Sequence, residues 1–255
     1  MSVIVAPEHT TTEGWLLAQT WDGAAWLPDP YVFAVEEGSG TQVYLGDAGM
    51  VGGPGVNDQG IGSVHTGVLI KENPPGLPYT FISRRILQAH DVVSAVACIS
   101  DAPTTAGCHF IVAAGDRAVD VESAGRLHDE VTYDTAFSTC SHFVAGGVAE
   151  QVRSSPGSEY RVARLRQLTL ERSPVSPMDL FDLMSDHEEG ADRATVCWHP
   201  ASGDSRSLAS VVVDPESQRL LARAGTPCEV RPAREVGVAG STVETRVVEQ
   251  QATVS

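Results

Sequence analysis

The chain has 255 residues and a formal net charge of −16, with 42% hydrophobic and 20% charged residues. This balance is typical of a globular protein with one substantial core, and the acidic excess excludes nucleic acid or an anionic membrane surface as a partner held by charge. No apolar run approaches the roughly 20 residues of a spanning helix, and the first residues lack the basic segment of a signal peptide. The sequence therefore predicts a cytoplasmic protein.

Short strands separated by turns are predicted in the first part of the chain. β-Branched runs and turn residues place them at 2–6, 14–21, 31–36, 41–45 and 61–68. The segment Glu37-Gly38-Ser39-Gly40 between the third and fourth strands is a hairpin signal.

Helices and further strands follow in alternation. Apolar spacing predicts a helix over 79–90, and Asp91 is expected to cap a second helix that ends at residue 99, because its carboxylate accepts free first-turn amides. Later segments are two helices and two hairpins: helices 158–170 and 178–185, and paired strands 110–114 with 117–123 and 208–213 with 219–224. The order indicates an α+β layered protein with largely antiparallel sheets.

The last part of the chain differs from the rest. From residue 230 the sequence is polar and lacks periodicity. We therefore divide the chain into a domain over 1–229 and a C-terminal tail over 230–255, which is expected to be mobile or to pack on a partner.

Cysteine usage favours no disulfide framework and no zinc knuckle. The five cysteines are odd in number, widely spaced and form no CxxC pair. Cys108-His109 and Cys140-Ser141-His142 offer metal-ligand types, but packed thiols beside hydrogen-bonded histidines are the favoured interpretation.

An ordered set of motifs resembles the penicillin acyltransferase (isopenicillin N acyltransferase) family of N-terminal-nucleophile hydrolases. The resemblance covers nearly the whole chain apart from the tail. Its motifs are Glu13-Gly14, Gln19-Thr20-Trp21-Asp22, the glycine-rich stretch 49–60 with Asn57, Gly76-Leu77-Pro78, Arg85-Ile86-Leu87, Glu122, Asp186-His187-Glu188, Thr195-Val196-Cys197, 208–215 and Gly225-Thr226-Pro227-Cys228-Glu229.

This resemblance implies a fold and a chemistry. The fold is the four-layer αββα arrangement, in which two stacked antiparallel sheets lie between helices. Family members cleave their own precursor before a cysteine and use its side chain as nucleophile and its free α-amine as base. A free amine has a pKa near 8 and can therefore accept a proton at neutral pH.

The nucleophile is where this chain departs from the family pattern. The expected cysteine would fall immediately before Met1, and three interpretations stay open. A cysteine and a propeptide precede Met1 in the true reading frame, or Met1 is removed and Ser2 becomes the nucleophile, or the chain is a non-catalytic relative. Ser2 as a plain strand residue is as well supported as the catalytic role.

Two further candidate catalytic residues come from the resemblance. Asp22 is expected near the nucleophile and its amine, where a carboxylate would hold the amine in place. Ser141 matches the position of the family's oxyanion-binding asparagine, which is missing here; losing such a donor typically costs about 10²–10³ in rate. Ser141 bonded only to backbone groups is an equal alternative.

Other departures from the family are less specific. Trp198 stands where relatives usually carry arginine, and His109 where asparagine is common. Cys197 is expected to be a packed core thiol, and a Cys140/His142 dyad is disfavoured.

These observations lead to one functional hypothesis and one rival. The chain is predicted to be an amidohydrolase or acyltransferase that acts on a small N-acylated amine through an acyl-enzyme, with autoproteolysis, and without metal or organic cofactor. An acyl-thioester donor is implied for the transfer reaction only by the family. The rival is a catalytically inactive protein that binds a ligand or partner. A homo-oligomer or a separate propeptide chain stays open, while nucleic acid and membrane are not expected.

Overall fold

The computed structural model describes most of the chain. The described residues are 1–38, 40–133, 136–153, 157–188, 194–199, 204–229, 231–240 and 242–249. Ser39 of the predicted hairpin turn and residues 230, 241 and 250–255 of the predicted tail lie outside them.

The described strands form two antiparallel sheets of seven strands each. In spatial order, the first sheet contains β10 (Phe137–Thr139), β1 (Ser2–Val5), β2 (Leu16–Ala24), β11 (Ser205–Asp214), β12 (Arg219–Ala224), β13 (Ala233–Ala239) and β14 (Thr242–Val248). The second sheet contains β3 (Tyr31–Glu37), β4 (Gly40–Gly46), β5 (Gly55–Asn57), β6 (Gly62–Val68), β7 (Gly107–Ala114), β8 (Arg117–Ala124) and β9 (Leu127–Thr132).

Helices cover the outer face of each sheet. They are α1 (Tyr79–Ile86), α2 (Val92–Ser100), α3 (Gly146–Ala149), α4 (Ser158–Arg172) and α5 (Pro177–Leu183). Apolar residues of α1 and α2 pack on the second sheet, and those of α4 and α5 pack on the first. Between the sheets lies a third apolar layer that includes Ile4, Val43 and Val211. The predicted αββα architecture is therefore confirmed.

Local signals located several elements well. The hairpin of β3 and β4 forms in the predicted place, and Asp91 caps α2 by accepting from the Ser94 amide at 2.7 Å. The first helix ends at Ile86, earlier than predicted. The buried Asn57 side-chain amide donates to the carbonyls of Leu87 and Ala89 at 3.0 and 2.9 Å and holds these residues outside the helical pattern.

The described part of the predicted tail is not mobile chain but two strands, β13 and β14, at the edge of the first sheet. Val236 and Val238 reach the apolar layer between the sheets. Glu235 pairs with Arg219 at 3.2 Å and with Arg246 at 2.8 Å across neighbouring strands. This tertiary pairing, which the weak local pattern does not indicate, stabilises the segment as strand.

Among the described residues, no helix is long and apolar enough to cross a bilayer.

Candidate active site

A cavity of about 380 Å³ opens where β1 and β2 of the first sheet meet β6 and β7 of the second. This volume suits a small organic ligand. The cavity wall mixes apolar and polar side chains: Met1, Gln19, Thr20, Trp21, Asp22, His65, Thr66, Gly67, Val68, Leu69, Tyr79, Ala106, Gly107, Cys108 and Ser141.

Ser2 lies beside this cavity, on the face of β1 that looks toward the second sheet. Alternation along the strand sends Met1 and Val3 toward the helices, whereas Ile4 joins the layer between the sheets. Ser2 is 1% exposed, and its Oγ lies 2.7 Å from Oγ1 of Thr66, a residue of the cavity wall. The Ser2 hydroxyl is therefore next to the cavity and engaged by a partner.

Met1 is part of the first sheet rather than a loose terminus. Its carbonyl accepts from the Thr20 amide at 3.0 Å, and its side chain packs with the helix-facing core. Met1 also contributes to the cavity wall, so the Met1–Ser2 peptide lies at the cavity edge.

Asp22, near the C-terminal end of β2, lines the same cavity. One carboxylate oxygen accepts from the Ser207 hydroxyl at 2.6 Å, and the other lies 3.7 Å from Nη2 of Arg161. The carboxylate is thus fixed by an adjacent strand on one side and by a guanidinium from α4 on the other.

Arg161 is a site residue that the sequence did not reveal. Its guanidinium lies 5.3 Å from the centre of the Trp198 ring and donates to the Val196 carbonyl at 3.1 Å. Stacking on an indole face favours the cation. Residue 198 is tryptophan here rather than the arginine common in the family. The Arg161 guanidinium nevertheless lies against Trp198 and beside Asp22.

The thiol of Cys140 lies 3.5 Å from Nη1 of Arg161. Burial disfavours the thiolate, but the Arg161 cation and the N-terminal amine outweigh it and lower the pKa of Cys140. His142 is held elsewhere, with Nδ1 2.6 Å from the Ser158 hydroxyl. The described contacts give His142 no direct bond to the Cys140 thiol.

Ser141, the positional match of the family's oxyanion-binding asparagine, lies in the cavity wall. It occupies a tight bend in which the His142 amide donates to the Cys140 carbonyl at 2.8 Å. The His142 carbonyl in turn accepts from Nε2 of His109 at 2.8 Å. His109 therefore supports the bend that presents Ser141.

His109 belongs to a buried charged network. Its Nδ1 lies 2.9 Å from Asp120 and 3.8 Å from Glu122. The Glu122 oxygens accept from the Val144 and Ala145 amides, both at 2.8 Å. Burial opposes protonation, but the neighbouring Asp120 carboxylate and then Glu122 raise the pKa of His109.

His65 is a second histidine that the sequence analysis did not single out, and it lines the cavity. Its ring lies between Trp21 and Tyr79, with centroid distances of 5.7 and 4.9 Å. Burial, followed by the positive N-terminal amine, lowers the pKa of His65 to about 3, so the imidazole is neutral. The signal available in the sequence was an imidazole within the predicted strand 61–68.

Comparison with known proteins agrees with this architecture. The family model described as acyl-coenzyme A:6-aminopenicillanic acid acyl-transferase matches residues 9–228. No curated protein sequence gave a significant match.

Solved structures with the same fold are distant in sequence. Two variants of conjugated bile acid hydrolase from Clostridium perfringens align with TM-scores of 0.60 and 0.62 at 10% and 9% identity, over 100% of both chains. Penicillin V acylase from Agrobacterium tumefaciens aligns with a TM-score of 0.50 at 13% identity, over 93% of this chain and 86% of that one.

The fold and the matched motifs define an N-terminal-nucleophile hydrolase, a class of amide hydrolases and acyltransferases. Within that class, the chain belongs to the acyl-coenzyme A:6-aminopenicillanic acid acyl-transferase family.

Proposed function

We propose that the protein cleaves or transfers the acyl group of small N-acylated amines, with Ser2 as an N-terminal nucleophile after removal of Met1. The observation that carries this proposal is the meeting of Met1, Asp22 and Ser141 in the wall of one cavity, with the Ser2 hydroxyl bonded to Thr66 of the same wall. Removing Met1 would convert the Met1–Ser2 amide into a free amine at the cavity edge.

The proposed reaction begins at the Ser2 hydroxyl. Ser2 Oγ attacks the carbonyl carbon of the bound amide, and the Ser2 amine takes the hydroxyl proton, as a free amine with a pKa near 8 can do. The carbonyl oxygen becomes an oxyanion. The amine then gives the proton to the departing amine, and an ester is left on Ser2. Water resolves this ester in hydrolysis, and an amine acceptor resolves it in acyl transfer.

Asp22 and Ser141 have positioning and stabilising roles in this scheme. Asp22 holds the protonated Ser2 amine, while its contacts with Ser207 and Arg161 fix the carboxylate. Ser141 donates its hydroxyl to the oxyanion. A serine rotor is less preorganised than an asparagine amide, which predicts slower turnover than a complete oxyanion hole supports.

The side chains of the cavity wall suit a small, neutral substrate. Apolar side chains such as Trp21, Val68 and Leu69 suit an acyl chain or ring. Within the described residues, the buried Thr20 Oγ1 and His65 Nε2 have no hydrogen-bond partner, so polar groups are available near a bound amide. An acyl-thioester as the donor for the transfer reaction rests on the family alone.

The test uses the tag-free protein and a β-lactone, an electrophile that acylates N-terminal nucleophiles. We expect the intact mass to lack Met1 and the lactone adduct to map to Ser2. Ser2→Ala should abolish both the adduct and the hydrolysis of a panel of N-acyl amines. Ser100→Ala, at an exposed position at the end of α2, is the matched control and should label like the wild type.

Retained Met1, or an adduct that survives Ser2→Ala, would overturn the Ser2 assignment. A form extended upstream to a cysteine that gains hydrolysis, while the Met1-trimmed form has none, would transfer the nucleophile role to that cysteine.

A second candidate function is binding of an acyl-amine ligand without turnover. It is favoured by the Ser2 hydroxyl, which is buried and already bonded to Thr66, and by the integration of Met1 into the sheet. Calorimetric binding of an N-acyl amine by a protein that retains Met1 and shows no turnover would support this function.

A further inference from the structure

Four metal-ligand side chains converge at a place that the proposed reaction does not use. His187, Cys197, His199 and Cys228 bring one ligand atom each, and these atoms all lie within 4.8 Å of one another. Nε2 of His187 lies 2.6 Å from Nε2 of His199, and His199 Nε2 lies 3.6 Å from Cys228 Sγ.

Three separate segments supply these ligands. His187 follows α5, Cys197 and His199 lie in the described segment 194–199 before β11, and Cys228 lies in the turn after β12. Backbone bonds fix the segments: the Cys197 amide donates to the Asp186 carbonyl at 3.0 Å. The site is thus built by tertiary folding: only Cys197 and His199 lie close along the chain, and no CxxC pair marks the site in the sequence.

We propose that these four residues form a structural zinc site, with His187, Cys197, His199 and Cys228 as a tetrahedral Cys₂His₂ ligand set. Two thiolates and two imidazoles are ligands that Zn²⁺ prefers, and a set of four protein ligands leaves no open position for a reacting water. Two thiolates also neutralise the charge of the divalent ion.

The distances fit this ion after a small adjustment. Tetrahedral zinc at ordinary bond lengths holds a nitrogen and a sulfur about 3.6 Å apart and two nitrogens about 3.3 Å apart. The His199–Cys228 separation of 3.6 Å already matches. The two imidazole nitrogens must separate by about 0.7 Å to reach the tetrahedral value, which is within the reach of exposed histidine rings.

Zinc bound at this site would stabilise the chain segment beside the cavity. Trp198 lies between the ligands Cys197 and His199, and its ring stacks with Arg161. The Trp198 carbonyl accepts a hydrogen bond from the Ser207 amide at 2.7 Å. Ser207 and Arg161 are also the two partners of Asp22. Zinc at this place would hold the segment that supports Asp22, without contact with the proposed reacting atoms.

The test measures metal directly on the full, tag-free chain, so it is independent of the acyl-transfer proposal. We expect about one zinc per chain after purification without chelator. After zinc removal, Co²⁺ should give the visible bands of tetrahedral coordination and a thiolate charge-transfer band in the near ultraviolet.

Two exposed ligands allow variants that do not disturb the core. Cys228→Ser should lose the thiolate band intensity in part, and His187→Gln should weaken Co²⁺ binding by roughly tenfold or more. Cys98→Ser and His90→Gln, in and next to α2, are matched controls that should bind like the wild type. Far-ultraviolet circular dichroism of the metal-free variants checks that they fold.

Less than about one tenth of an equivalent of zinc, with no cobalt bands in the wild type, would overturn the site. A Cys197–Cys228 disulfide found by mass spectrometry in protein purified without reductant would also overturn it, because these thiols would then not be available as ligands. Equal cobalt spectra for the wild type and Cys228→Ser would place the metal elsewhere.

Discussion

Two histidines on neighbouring strands of the second sheet, His65 on β6 and His109 on β7, lie one residue apart in register and face opposite sides. His65 is opposite Phe110, whereas His109 is opposite Thr66. His65 faces α1, where Nδ1 lies 3.4 Å from the Ser83 hydroxyl. His109 faces the space between the sheets, in contact with Asp120.

Their surroundings shift their pKa values in opposite directions. Burial among aromatic rings keeps His65 neutral, with its pKa lowered to about 3. Burial acts on His109 too, but the Asp120 and Glu122 carboxylates raise its pKa. Burial alone therefore does not decide the direction in which the pKa of a histidine shifts, because a carboxylate in contact reverses it.

The largest change in stability is expected from removing Asp120, the carboxylate closest to His109. Asp120→Ala leaves His109 buried without its closest counter-ion, and we expect the free energy of unfolding to fall by about 3–5 kcal/mol. Urea denaturation measures this change. Asp116→Ala, in the turn between β7 and β8, is the control and should stay within about 0.5 kcal/mol of the wild type. A loss for Asp120→Ala no greater than that of the control would contradict the ion pair.

The neutral state of His65 predicts acid sensitivity. Its folded pKa of about 3 lies below the unfolded value of 6.5, so between these values the unfolded chain binds a proton that the folded protein does not. Stability therefore falls as the pH falls through this window, and His65 should contribute a loss of about 2 kcal/mol on going from about pH 8 to about pH 5.

His65→Phe keeps a ring in place and removes the titrating group. Unfolding free energies of this variant should show a shallower decline over the same pH range, whereas His90→Gln should follow the wild type. Parallel pH curves for His65→Phe and the wild type would show that His65 does not titrate as proposed.

His109 should show the opposite dependence. Its folded pKa is raised above the unfolded value, so its contribution to stability is complete below the unfolded value and is lost as the pH rises through the folded one. Replacing Asp120 with Asn should lower the pKa of His109, because the closest carboxylate that raises it is lost. Long-range ¹H–¹⁵N spectra of the imidazole give this pKa. An unchanged value in Asp120→Asn would assign the shift to another group.

The sequence predicted what depends on local chemistry. The Asp91 cap and the β3–β4 hairpin are set by residues within a few positions of one another, and the motif order identified the layered fold. The resemblance singled out Asp22 and Ser141 as candidate catalytic residues; both line the cavity, and their catalytic roles stay predictions.

What the sequence did not predict depends on distant partners. Arg161 reaches Asp22 from α4, 3.7 Å away in space but far along the chain, and nothing in its own segment marks it. The same reason applies to β13, whose Glu235 is stabilised as strand by arginines on β12 and β14. Whether Ser2 is a nucleophile stays a prediction, because its strand position fits both roles.

The smallest change in stability is expected at Thr66, which lies next to both the cavity and the buried ion network. Thr66 pairs with His109 in the β6–β7 register, and its hydroxyl bonds to Ser2. Thr66→Val keeps the side-chain shape and removes the partner of the Ser2 hydroxyl, so the free energy of unfolding should fall by about 1 kcal/mol. Thr132→Val, at an exposed position of β9, is the matched control and should change little. The described hydrogen bonds join Thr66 to neither carboxylate, so the pKa of His109 should stay unchanged in Thr66→Val. A shift would show that the cavity wall and the buried ion network are coupled through β6.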